Sequence, residues 1–122
     1  MTTLEAKESI CKEFISRYYE WLKDVEEMPE REYGEKYCWG KPQNVTKDNM
    51  EAVKFFQKYM FAGRFLPAWE KAGYDKQTIW QLHRDGFLSY DYNSSWQARM
   101  MGKQDFYYIS QARAKEIYKA YK

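Results

Sequence analysis

The chain is 122 residues long, 44% hydrophobic and 20% aromatic, with 20 basic and 18 acidic side chains and a formal charge of +2. That length supports one domain around one core, burying roughly two-thirds of the surface its unfolded chain exposes. No apolar run approaches the roughly 18 residues of a membrane span, and the N-terminal MTTLEAKESI lacks the basic and apolar blocks of a secretion signal, so a cytoplasmic location without membrane contact is expected.

Twelve Tyr, seven Phe and five Trp stand against five Leu, five Ile and three Val, so the interior must be largely aromatic. Each ring removes about 150 to 250 Å² from water, which is more than one small interior can hold, and some rings are expected to lie partly exposed. Cys11 and Cys38 are too few and too unlike in spacing for a disulfide framework and read as reduced thiols. The charge is unevenly divided: residues 1–40 carry −4 and residues 41–122 carry +6.

Thr2 and Glu5 have the spacing of a capping box and announce a first helix running to about Val25. Its apolar positions Leu4, Cys11, Phe14, Ile15, Tyr18, Leu22 and Val25 fall three or four apart on one stripe. Residues 26–45 contain Pro29, Gly34, Gly40 and Pro42 among charged side chains and read as a long loop, with Tyr33, Tyr37 and Trp39 as its contact residues. Thr46 precedes a second helix carrying Met50, Val53, Phe56 and Met60, which Gly63 ends. A short third helix admits Pro67 in its first turn and stops at Gly73.

Asp75 caps a fourth helix over 76–85, with Ile79 and Leu82 inward and Gly86 as its stop. Phe87–Tyr92 and Phe106–Ile109 are strand-prone and flank a polar tip, 93–105, so the two make a hairpin. Ser110 caps a last helix whose apolar stripe is Ala114, Ile117, Tyr118 and Tyr121, with Lys115, Lys119 and Lys122 toward water.

The order of short helix, tight turn with Gly73, helix, strand, basic loop, strand and helix is that of a winged helix-turn-helix. The run AGYDKQTIWQLHRDGFL (Ala72 to Leu88) resembles the turn, recognition helix and first wing strand of that superfamily, and FYYISQARAKEIYK (Phe106 to Lys119) resembles its second strand and following helix. MarR-like, PadR-like and excisionase-like bacterial regulators carry similar patterns. The resemblance implies a mainly α fold with a small β-hairpin wing: a single domain over 1–122, made of a helical part (1–62) and a winged-helix part (64–122). It implies a small bacterial or mobile-element transcriptional regulator, which reads duplex DNA with helix 76–85 and the wing 93–105.

With Ile79 and Leu82 inside, the 100° helical step turns Lys76, Gln77, Trp80, Gln81 and Arg84 outward, with Thr78 near the N-terminal end of the same helix. Gln suits adenine and Arg or Lys suits guanine, while the helix N-terminus and Lys76 suit a phosphate. Arg99 and Lys103 on the wing would meet the DNA backbone or minor groove. Trp80 either faces outward among these readers or is covered by the first helix as core. Asp75, Asp85, Asp91 and Asp105 counter the positive charge of the region. A dimer reading paired half-sites would use the long first helix as its seam.

A second reading is an interaction protein, such as a phage or plasmid inhibitor of a host protein, with Tyr33, Tyr37, Trp39 and Trp96 as contacts. Chemistry has less support. His83 is the only His, no ligand-spaced pair joins it to Cys11 or Cys38, and the acidic cluster Glu26, Glu27, Glu30, Glu32 and Glu35 reads as a solvated face. With neither a phosphate-cradling glycine loop nor a nucleophile elbow, no enzyme activity, metal or cofactor is expected.

Overall fold

The computed structural model describes residues 2–37, 40–42, 48–61, 66–92 and 105–121. These form a mainly helical structure with one two-stranded antiparallel sheet. The helices are α1 (Thr3–Glu27), α2 (Glu30–Tyr37), α3 (Met50–Phe55), α4 (Leu66–Lys71), α5 (Lys76–Arg84) and α6 (Gln111–Tyr121). The strands are β1 (Ser89–Tyr92) and β2 (Asp105–Tyr108), in a register that sets Ser89 opposite Tyr108 and Tyr90 opposite Tyr107.

Thr2 caps α1 as its spacing predicts, while the Glu5 carboxylate accepts from the Thr2 hydroxyl at 3.1 Å instead of closing a full capping box. The Glu5 amide donates to Thr2 Oγ1 at 3.1 Å, which satisfies one of the orphan donors of the first turn. The stripe that α1 buries is Ala6, Ile10, Cys11, Phe14, Tyr18, Trp21 and Val25. It shares Cys11, Phe14, Tyr18 and Val25 with the stripe read from spacing, but Leu4 is 66% exposed, while Ile10 and Trp21 are buried. The helix is apolar enough on both sides of that line for the choice to depend on its partners, α5 and α6. The buried stripe of α1 is thus covered within the chain, as part of the core.

The expected loop 26–45 is corrected by α2. Met28 and Pro29 interrupt the chain, and Glu30 and Glu32 then lie in the first turn of the new helix and Lys36 in its last, each complementing the helix dipole. Tyr33, read as a contact residue, is fully buried, and its hydroxyl accepts from Trp21 Nε1 at 2.8 Å. Tyr37 is half-buried, with its hydroxyl donating to Asp24 Oδ2 at 2.6 Å. Trp39 lies outside the described residues, as do Cys38, the expected cap Thr46 and the expected stop Gly63.

Asn49, rather than the expected Thr46, caps α3 by accepting from the Ala52 amide at 3.0 Å, so the helix starts at Met50. The end of this segment is a π turn, Phe56–Met60, closed by Phe61 N–H donating to the Phe56 carbonyl at 3.0 Å. Consecutive rings of this segment both reach α1: Phe55 stacks on Trp21 at 5.6 Å, and Phe56 meets Phe14 edge to face at 5.2 Å. Trp69 of α4 is buried and donates from Nε1 to the Tyr107 carbonyl at 2.8 Å, tying α4 to β2. Gln57 similarly donates to the Ile109 carbonyl at 2.8 Å. Among the described residues, no buried side-chain nitrogen or oxygen lacks a hydrogen-bond partner, and no helix is long and apolar enough to cross a membrane.

Candidate nucleic-acid interface

The helix α5 is held at both ends. Before it, Gly73 adopts φ +100°, a conformation that L side chains rarely take, and lets the chain reverse within the turn from α4. Tyr74 follows, buried, with its hydroxyl 2.8 Å from Ser9 Oγ of α1. Asp75 Oδ1 then accepts from the Thr78 amide at 2.7 Å, and that backbone hydrogen bond holds the carboxyl below its ordinary range. Beyond α5, Gly86 adopts φ +80° and its carbonyl accepts from Arg113 Nη2 at 3.0 Å. Arg113 also donates from Nε to the Phe87 carbonyl at 3.2 Å and lies 5.0 Å from the Phe87 ring. A cation from α6 therefore satisfies carbonyls just past the negative end of α5.

Ile79 and Leu82 are fully buried, as expected from the helical step, and Thr78 is buried with them. Thr78, read from the sequence as a DNA contact, is thus turned into the core. Lys76, Gln77, Trp80, Gln81 and Arg84 are all exposed. Trp80 is 48% exposed, so α1 does not cover it, and the guanidinium of Arg84 lies 5.0 Å from the centre of its ring. This pair at i and i+4 forms a cation–π contact that limits the rotamers of both side chains.

The acids around this face have partners. Asp75 caps the helix, and Asp85 takes a hydrogen bond from Gln81 Nε2 at 3.0 Å and lies 3.8 Å from Lys7 Nζ. Glu70 is 4.0 Å from Lys76 Nζ, whose side chain remains 74% exposed, a separation at which a surface pair contributes little. Asp91 is exposed on β1. Behind α5, His83 is half-buried, with its ring 5.5 Å from Tyr90 and 5.6 Å from Tyr107. Those two tyrosines face each other across the strand pair at 5.2 Å, so three rings join α5 to the base of the hairpin.

The structure thus brings together Lys76, Gln77, Trp80, Gln81 and Arg84 on one face and removes Thr78 and Tyr33 to the interior. Arg99, Lys103 and Trp96 lie outside the described residues. Sequence reasoning did not find Arg113 or Lys7, because each acts on α5 from another helix and neither position carries a local signature. No family model matches the chain, and comparison with curated proteins and with solved structures finds no match.

Proposed function

We propose that this chain is a DNA-binding regulator of the winged helix-turn-helix kind, laying the outer face of α5 in the major groove of duplex DNA, with the segment between β1 and β2 as its wing. The observation that carries this reading is the uncovered face of α5: five polar or aromatic side chains point to solvent, while Asp75 and Asp85 are engaged at the helix ends. A rigid helix of that kind meets the requirement that base-reading groups be held before binding. Because the Asp75 carboxylate sits on the N-terminus of α5 and repels an anion there, phosphate contact falls to Lys76, Arg84, Arg99 and Lys103.

The test is titration of mixed-sequence duplex DNA at rising salt, comparing the wild type with Lys76→Ala/Arg84→Ala and with Arg99→Ala/Lys103→Ala. Each phosphate contact removed lowers the salt slope by about 0.9. Failure to bind duplex at low salt, or slopes that neither pair changes, would overturn the proposal.

The exposure of Trp80 favours a second reading, in which the same face docks on a protein, because a half-exposed indole on a rigid helix is a typical anchor of protein interfaces. Capture from host lysate with the wild type and with Trp80→Ala separates the two. A defined protein lost with Trp80→Ala, in the absence of nucleic acid, supports this reading over DNA.

A further inference from the structure

We propose that Trp80 reads thymine methyl groups in the major groove, so that the duplex this chain prefers is rich in A·T pairs. The inference rests on the DNA-binding reading above and specifies what that face selects.

Lys76, Trp80 and Arg84 follow one another at four-residue spacing on α5, so the indole sits midway along a stripe about 12 Å long with a cation at each end. Trp80 is 48% exposed, and Arg84 lies against its ring at 5.0 Å. An indole presents apolar surface and a single donor. Laid over the guanine O6 and N7 acceptors or the cytosine amino group, it strips water from polar edges that it cannot satisfy. Of the bases in the major groove, only thymine offers an apolar group, its C5 methyl.

The neighbours of Trp80 favour the partner strand of the same pair. Gln77 is exposed one turn before Trp80, and among the described residues its amide has no hydrogen-bond partner, so both ends are available to adenine N6 and N7. Gln81 donates its amino group to Asp85 at 3.0 Å, which leaves its carbonyl to accept from an amino group such as adenine N6. Arg84, the side chain best suited to guanine, is instead drawn onto the indole, where it serves the phosphates. An apolar centre beside amide readers therefore discriminates for A·T.

The experiment measures binding of the full chain by fluorescence anisotropy to three duplexes of equal length. One is A·T-rich, the second has the same sequence with uracil in place of thymine, and the third is G·C-rich. Removing the methyls is expected to weaken binding by about fourfold for each one that Trp80 covers. Trp80→Ala, whose circular dichroism is checked against the wild type, is expected to bind the thymine and uracil duplexes equally. Equal affinity of the wild type for thymine and uracil duplexes overturns the proposal while leaving DNA binding intact. A thymine preference that survives Trp80→Ala also overturns it. Absence of binding to all three duplexes overturns both this inference and the reading on which it rests.

Discussion

The hydroxyls of Tyr18 and Tyr118 donate to the same carboxylate oxygen, Asp48 Oδ1, at 2.8 and 2.9 Å. The two rings meet edge to face at 5.9 Å, and both residues are buried. Asp48 thereby joins α1 to α6 from the segment just before α3. Replacing it by Ala leaves two hydroxyls without their charged acceptor, and a loss of about 1 to 2 kcal/mol is expected. Asp48→Asn, which keeps an acceptor oxygen, should lose less. Urea denaturation distinguishes them, and equal midpoints for wild type and Asp48→Ala would show that the clamp contributes nothing.

The buried pair of Trp21 and Tyr33 makes a sharper stability prediction. Tyr33→Phe preserves the ring but removes the acceptor of the Trp21 indole N–H, leaving a buried donor unpaired at an expected cost of about 1 to 3 kcal/mol. Because the groups are coupled, Trp21→Phe combined with Tyr33→Phe should cost less than the sum of the single changes. Additive costs would mean that this hydrogen bond is not what the pair contributes.

The turn before α5 depends on a conformation more than on space. A Cβ at Gly73 would meet nothing within 4 Å, yet φ is +100°. Gly73→Ala is therefore expected to cost about 1 to 2 kcal/mol through backbone strain alone. Gly73→Asn should cost less, since Asn tolerates positive φ better than Ala. A thermal midpoint for Gly73→Ala at or above that of the wild type would contradict this account.

Acid should selectively weaken the junction of α1 and α2. Partial burial works to raise the Asp24 carboxyl, but the hydrogen bonds from Lys36 at 2.7 Å and Tyr37 at 2.6 Å outweigh it and hold the group below its ordinary 3.8. A depressed folded value means that the contribution to stability is complete above 3.8 and is lost as pH falls through the folded value. The stability difference between wild type and Asp24→Asn should then shrink from neutral to strongly acidic buffer. A difference that is constant over that range would rule out the ionised carboxylate as its source.

Around the candidate site, the parts legible in the sequence were those written in short-range hydrogen bonding. The Asp75 cap, the inward pair Ile79 and Leu82, and the Ser110 cap of α6 each follow from groups within four residues of one another. The loop reading of 26–45 failed at α2 because Pro29 and the charged residues suggested irregular chain. Yet Pro is acceptable just before a helix, and Tyr33 finds its partner, Trp21, on α1.

By itself, the sequence determined where α1, α5 and α6 begin and where α4 and α5 stop, because caps and positive-φ glycines act over a few residues and need no partner. Tertiary structure alone decided which of two adjacent apolar lines on α1 is buried, that Thr78 and Tyr33 face inward, and that Trp80 faces outward under Arg84. It also decided that Arg113 and Lys7 would brace the end of α5 from two other helices. Those outcomes depend on contacts between residues distant along the chain, where many side chains could serve and only packing selects among them.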